Sequence, residues 1–142
     1  MGELHDLLCT SRSKYTTYDN CKNHDTVYKT DGVPGKANYF YDFYSHYEYK
    51  NTGDINASGV GKMNREHVWC QANSGGLWGT SGGGGDIAHI RPCDYTVNST
   101  RGNRKFGEVT SGSIVKVYNT DVVAGYIGNN SDFEPNDVSK GD

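Results

Sequence analysis

The pattern of apolar and polar residues predicts short strands joined by long polar connections. Residues 3–8 carry three leucines at helical spacing and predict a short helix, whereas residues 10–38 are polar enough to be mostly loop. In residues 39–49, aromatic side chains dominate the odd positions and polar side chains fall on even ones. This alternation predicts a strand with one half-buried face, broken near Ser45. Residues 50–63 are polar again and predict a second loop.

The middle of the chain is predicted to run strand, glycine-rich loop, strand, helix, over residues 64–69, 71–85, 86–91 and 94–102. Pro92 is expected to end the second strand because it lacks a backbone donor. The helix is expected to begin at Cys93 or Asp94, since aspartate is a favoured N-cap residue, and Gly102 is a natural stop.

The last third predicts two further strands, at residues 113–118 and 122–127, followed by a polar tail. Together these elements predict a small α+β domain. A length of 142 residues suits one domain, here residues 1–142. Eleven Tyr and two Trp supply apolar area to an otherwise thin core. The sequence contains neither a run of about 20 apolar residues nor the apolar core of a secretory leader near its start.

The charge of the chain argues against a protein that binds nucleic acid by overall basicity. The formal net charge is −3, whereas such proteins are usually basic. Any contact with nucleic acid must therefore rely on a local positive patch. The densest run of positive charge is Arg101, Arg104 and Lys105, with Arg91 ten residues upstream.

Histidines and cysteines offer one candidate metal site. His67 and Cys70 are three residues apart, and His89 and Cys93 are four apart, so the four side chains could hold a zinc ion in a non-catalytic binding module. The alternative is that the cysteines form disulfides, in an oxidising compartment, or pack as free thiols. Three pairings are open to the four cysteines, Cys9, Cys21, Cys70 and Cys93.

A second candidate site combines Glu66 and His67 with the predicted helix. On that helix Asp94, Asn98 and Arg101 share one face, because they are three or four residues apart. Carboxylate and amide oxygens suit Mg²⁺ or Ca²⁺, a neutral histidine is a base, and arginine binds phosphate. Taken singly, each of these residues is more often a structural or solvated side chain.

Three ordered motifs carry a resemblance that strengthens this second site. They read NREHVW, DIAHIRP and VNSTRGN, at residues 64–69, 86–92 and 97–103. In this order they resemble the bacterial endonuclease I family, which belongs to the ββα-metal (His-Me finger) nucleases. Residues 106–108 and 133–135 look like further family landmarks. The resemblance implies an α+β domain centred on a ββα-metal motif at about residues 64–103.

The resemblance also implies the role of each site residue. His67 would be the general base, with an ordinary pKa near 6.5, and Glu66 and Asn98 would bind Mg²⁺, with Mn²⁺ or Ca²⁺ as alternatives. Arg91 and Arg101 would serve catalysis by binding phosphate, unless they are structural. The expected reaction is hydrolysis of DNA and RNA, without sequence preference, to 5′-phosphate and 3′-hydroxyl ends.

One physical difficulty follows from the motif itself. Glu66 and His67 are adjacent, and adjacent side chains in a regular strand point to opposite faces. We therefore expect a twist or a bulge that brings both to one site. His89 is expected to lie next to His67 and to orient it without taking part in the reaction directly.

The chain departs from the family pattern in two neighbouring motifs. Cys70 stands where family members carry Pro, and Cys93 where Ser is common, which suggests a Cys70–Cys93 disulfide. The family chain normally continues past residues 140–142, so we expect a truncated chain. The resemblance implies a secreted or periplasmic monomer with no membrane contact. Besides the zinc module, the rival is a family member that has lost activity and only binds nucleic acid or a partner.

Overall fold

The computed structural model describes residues 17–73, 89–129 and 131–136. The predicted helix at residues 3–8, Cys9 and most of the glycine-rich loop lie outside these ranges. The helices are α1 and α2, at His24–Asp31 and Tyr95–Arg101, with single 3₁₀ turns at Asn20–Lys22 and Gln71–Asn73. The strands β1 to β8 are Tyr39–Tyr41, Glu48–Lys50, Met63–His67, Ile90–Asp94, Lys105–Phe106, Gly112–Lys116, Val123–Gly128 and Asp132–Pro135. The α+β prediction is confirmed.

The prediction of loop for the segment that forms α1 is wrong. Asn23 caps the helix, and its side chain accepts hydrogen bonds from the backbone N–H groups of Asp25 and Thr26 at 3.1 and 3.3 Å. The buried residues of α1 are Val27 and Asp31. The apolar contacts of α1 come from the adjacent residues Val27 and Tyr28, which give the sequence no helical periodicity, so packing against the rest of the fold stabilises this helix.

The strand predicted at residues 39–49 is a hairpin of β1 and β2, with the expected break between them. The paired residues are Tyr39↔Lys50, Phe40↔Tyr49 and Tyr41↔Glu48. Phe40, Asp42 and Tyr44, all at even positions, are fully buried, so the buried side is not the one that carries most of the aromatic residues. Asp42 is buried because its carboxylate accepts hydrogen bonds from the backbone of Ser45 at 3.0 Å and of Asp94 at 2.7 Å.

Strand β3 pairs with β4 in antiparallel register, from Met63↔Asp94 to His67↔Ile90. Strand β4 continues through Pro92, so the prediction that Pro92 ends it is wrong. In a two-stranded sheet each strand keeps an unpaired side, where a missing donor costs no ladder bond. The carbonyl of Pro92 instead accepts a hydrogen bond from the backbone of Phe43 at 2.9 Å.

Helix α2 begins and ends as its sequence predicts. The Asp94 carboxylate accepts hydrogen bonds from the backbone N–H groups of Thr96 and Val97 at 2.9 and 3.1 Å. Gly102 follows the last turn with a φ of 53°, a conformation that favours glycine. The predicted order strand, strand, helix is therefore present in β3, β4 and α2.

A four-stranded sheet in the order β5-β8-β7-β6 packs behind this unit. Strands β6 and β7 lie where they were predicted, whereas β5 and β8, a short parallel pair, were not predicted. The main core cluster joins this sheet, α2 and the turn after β1; it comprises Phe43, Tyr44, Cys93, Val97, Val115, Val117, Ala124 and Phe133. A smaller cluster under α1 comprises Val27, Phe40, Ile55 and Met63. Among the described residues, no helix has the length and apolar character needed to cross a bilayer.

Candidate active site

Glu66 lies at the centre of a buried polar cluster. It is 1% exposed, and its Oε1 accepts hydrogen bonds from the Tyr44 hydroxyl at 2.9 Å and from Nη1 of Arg101 at 2.7 Å. Burial raises the pKa of Glu66 to about 7, although Arg101 and Tyr44 both act to lower it. Both hydrogen bonds use Oε1, and none of the described residues donates to Oε2. Oε2 is therefore left for a ligand.

Arg101 fastens the end of β3 to α2. Besides Glu66, its guanidinium donates to the carbonyl oxygens of His67 at 2.9 Å and Val68 at 3.0 Å. The side chain of Arg101 is only 4% exposed. This placement gives Arg101 a positioning role, and its contact with phosphate stays a prediction.

Asn98 presents its amide in a fixed orientation. Its Nδ2 donates to Oδ1 of Asn64 at 2.8 Å and to the carbonyl of Arg65 at 2.9 Å. With both N–H groups used, the amide oxygen is the end left for a ligand. An amide oxygen and a carboxylate oxygen are hard donors, so these residues fit Mg²⁺, Mn²⁺ or Ca²⁺ better than zinc.

His67 is the last residue of β3 and is half-buried. Its ring centroid lies 5.6 Å from that of Tyr18 and 6.0 Å from that of His89. Burial, reinforced by His89 and by the positive charges of Arg65 and Arg101, lowers the pKa of His67 to about 4. The expectation of an ordinary pKa is therefore wrong, and the imidazole is neutral throughout the physiological range.

The expected bulge between Glu66 and His67 is absent, because β3 and β4 keep one register along their whole length. Asn64 and Glu66 contact α2 on one face of β3. On the other face, the Arg65 guanidinium lies 3.9 Å from the ring of Tyr18, which also adjoins His67. The alternation of a regular strand is preserved.

The two faces meet at the end of β3 through Arg101. Its guanidinium contacts both the carboxylate of Glu66 and the carbonyl of His67, and its charge acts to lower the pKa of both residues. The oxygen donors and the candidate base therefore share one electrostatic environment, although they leave the strand in opposite directions.

Arg91 pairs with α1. Its Nε and Nη2 lie 2.8 and 2.7 Å from Oδ1 of Asp31, and its guanidinium lies 4.8 Å from the ring of Phe43. The side chain keeps 27% of its surface exposed. Arg91 secures α1 against β4, and its predicted contact with phosphate stays a prediction.

The predicted Cys70–Cys93 disulfide is absent, since both residues are free buried thiols. Cys93 points into the main core, whereas Sγ of Cys70 donates to Oδ1 of Asn103 at 2.9 Å. The zinc site of His67, Cys70, His89 and Cys93 is also wrong. Within residues 17–73, 89–129 and 131–136, no three His, Cys, Asp or Glu side chains are grouped to hold a metal.

A cleft of about 440 Å³ opens beside this site. One wall is formed by residues 68–70, which follow β3, and the other by Arg101 and residues 104–106. Sequence reasoning identified the positive residues of this cleft but missed its aromatic ones, Trp69 and Phe106, which are 59% and 44% exposed. The signal available was a tryptophan two residues after the candidate base.

The chain is similar to one protein family and to parts of two named proteins. The sequence model of the Endonuclease I family matches residues 3–142. A protein named extracellular ribonuclease from Bacillus subtilis (strain 168) is 56% identical over 54 residues, which cover 37% of this chain and 18% of that protein. An extracellular ribonuclease from Bacillus amyloliquefaciens is 56% identical over 52 residues, which cover 36% and 17%. The matches span less than a fifth of either relative. No solved structure matches this chain.

Proposed function

Since this chain belongs to the endonuclease I family, we propose that it is a metal-dependent nuclease that hydrolyses DNA and RNA without sequence preference. The products would carry 5′-phosphate and 3′-hydroxyl ends. One observation carries the proposal: Glu66 and Asn98 each leave one oxygen without a hydrogen bond from the described residues, beside the end of β3 that carries His67. The names of the two Bacillus relatives support RNA as a substrate and secretion of the protein.

Glu66 and Asn98 would hold the ion, through Oε2 and Oδ1. Mg²⁺ is the expected ion, with Mn²⁺ or Ca²⁺ as alternatives, and two protein oxygens are enough because Mg²⁺ keeps several waters. When bound, the ion supplies positive charge to the phosphate and to the leaving oxygen. The protein fixes its two oxygens in advance, through Tyr44 and Arg101 at Glu66 and through Asn64 at Asn98.

His67 would accept the proton of the attacking water. The imidazole is neutral before substrate binds, because its pKa is about 4. A bound phosphodiester places negative charge nearby, which raises the pKa towards neutrality, where a general base is most effective. Such a base contributes about 10²- to 10⁴-fold in rate.

Substrate binding would rely on the phosphate backbone. Arg91, Arg104 and Lys105 keep part of their surface exposed, and contacts from such residues to phosphate carry no base information. Arg101 would act mainly by holding Glu66 and the end of β3. Affinity for any nucleic acid is therefore expected to fall steeply with added salt.

Digestion of supercoiled plasmid and of a structured RNA tests the proposal. We expect both to be cleaved with Mg²⁺, and cleavage to stop in EDTA and return when Mg²⁺ is restored. Cleavage that continues in EDTA would contradict the metal-dependent mechanism. Binding without cleavage, with any of the three ions, would instead indicate a family member that only binds nucleic acid.

A further inference from the structure

The cleft beside the candidate site has the composition of a nucleobase pocket. We propose that this cleft, bounded by Trp69 and Phe106 and here called the aromatic cleft, binds an unpaired base of single-stranded nucleic acid. The proposal rests on the proposed function only for the position of the cleaved bond. It specifies the substrate further: a strand with at least one base free to leave its stack.

Two exposed aromatic rings form the apolar part of the aromatic cleft. Trp69 is 59% exposed and Phe106 is 44% exposed. The ring of Phe106 adjoins those of Tyr44 and Phe133, with centroids 6.3 and 6.4 Å away, so it is held in place. The backbone N–H of Trp69 donates to Nδ1 of His89 at 3.3 Å. Exposed rings on a fixed backbone are the usual platform for stacking bases of any sequence.

Positive charge distinguishes this cleft from a site for an apolar peptide. Its lining includes Arg101, Arg104 and Lys105, and none of the described residues that line it is acidic. Arg104 is partly exposed and Lys105 is exposed, so their positive charges are available to a ligand in the cleft. In a chain with a net charge of −3, this composition fits a ligand that combines an aromatic ring with a phosphate.

The location of the aromatic cleft ties it to the reaction. Trp69 follows His67 by two residues, so their Cα atoms are at most about 7 Å apart. Arg101, in the opposite wall, also contacts Glu66. A base in the cleft would thus belong to a nucleotide next to the cleaved bond. Bases inside a duplex have both faces covered by their neighbours, so only unpaired bases can enter.

Binding measured by fluorescence anisotropy in EDTA and low salt tests this proposal without relying on hydrolysis. The probes are a labelled single-stranded oligonucleotide, a blunt hairpin duplex of the same sequence, and an oligonucleotide of equal length without bases. We expect Trp69→Ala to weaken binding of the single strand roughly 5- to 150-fold and that of the duplex less than about 2-fold. Trp69→Phe, which keeps an aromatic face, should restore most of the affinity.

Tyr126→Ala is the matched control, because Tyr126 is 38% exposed on β7 and does not line the cleft; it should change neither affinity. The proposal is overturned if wild-type protein binds the base-free oligonucleotide as tightly as the normal one, or shows no single-strand binding. Equal weakening of single strand and duplex by Trp69→Ala, or no weakening of either, overturns it too. Failure to cleave a structured RNA, which offers unpaired bases, in the presence of Mg²⁺ would count against the proposed function alone.

Discussion

Arg101 and Glu66 form an ion pair across the interface of α2 and β3, with Nη1 and Oε1 2.7 Å apart and side chains only 4% and 1% exposed. Each charge has been removed from water and depends on the other for compensation. The same guanidinium holds the carbonyl oxygens of His67 and Val68. The pair is thus both a structural tie and the support of the proposed metal-binding carboxylate.

Removing the positive partner should be costly for stability. Arg101→Met leaves Glu66 buried without its counter-charge, and we expect the free energy of unfolding to fall by about 3–5 kcal/mol. The combined variant Arg101→Met, Glu66→Gln should recover part of this loss, because no unpaired charge remains. Urea unfolding of both variants in EDTA provides the measurement. If Arg101→Met alone is as stable as wild type, the ion pair does not stabilise the fold.

His67→Ala should lower the rate of plasmid nicking by about a hundredfold or more, because the proposed base is lost. The fold should persist, since His67 is only half-buried at the end of a strand. His46→Asn is a suitable control: His46 is an exposed histidine with a φ of 53°, which asparagine tolerates. Normal nicking by His67→Ala, with an unchanged melting temperature, would remove His67 from the mechanism.

Asn98→Ala should raise the Mg²⁺ concentration needed for half-maximal cleavage, because one of the two proposed oxygen ligands is lost. Asn64→Ala should raise it less, since that change removes only one of the two acceptors that orient the Asn98 amide. Titrations of Mg²⁺ at fixed plasmid concentration measure both effects. An unchanged Mg²⁺ requirement in Asn98→Ala would contradict its role as a ligand.

Alkylation should show that Cys70 and Cys93 are free thiols and not a disulfide. Burial raises the pKa of the Cys93 thiol, so Cys93 should resist iodoacetamide in the native protein and react only after unfolding. Mass spectrometry of peptides alkylated before and after denaturation, without reductant, reads this directly. A peptide linking Cys70 to Cys93 would contradict the free thiols of the structure.

Asp42 should make stability depend on pH. Burial raises the pKa of its carboxyl, although hydrogen bonds from Ser45 and Asp94 oppose this. The folded protein then keeps a proton that the unfolded chain loses above about pH 4, so this contribution to stability declines as pH rises. Relative to Asp42→Asn, wild type should lose stability in urea unfolding as the pH rises above about 4. A constant difference between the two proteins would contradict the raised pKa.

Asp121→Asn offers a control of opposite sign. A hydrogen bond from Lys116 lowers the pKa of the exposed Asp121 carboxyl, so its contribution to stability is present above about pH 4 and is lost on acidification. The exposed pair is screened by solvent, and the effect should be small.

Local signals in the sequence were enough to predict the centre of the fold. Asp94 and Gly102 mark the two ends of α2 by their own backbone chemistry, and the resemblance carried by three motifs is confirmed at the level of the family. Helix α1 escaped prediction because it is held by Val27 and by the pair between Asp31 and Arg91, which are contacts across the fold.

The hydrogen bonds and pKa values of the site depend on side-chain directions and on burial, and neither can be read from local sequence patterns. Tyr44 reaches Glu66 from 22 residues away, and no spacing rule connects them. The low pKa of His67 follows from burial and neighbouring charges, not from residue type. The expected disulfide was wrong because two positions in adjacent motifs, Cys70 and Cys93, face different surroundings.

The turn after β1 supplies two of the groups on which the candidate site depends, the hydroxyl of Tyr44 on Glu66 and the carboxylate of Asp42 at the start of α2. Residues 63–101 are consequently not sufficient to form the candidate site on their own. If that segment were placed in another scaffold, Glu66 would lack the hydrogen bond from Tyr44. The N-cap residue of α2, Asp94, would lack the acceptor that Asp42 provides. A transfer of the candidate site to another protein therefore has to include the preceding hairpin of β1 and β2.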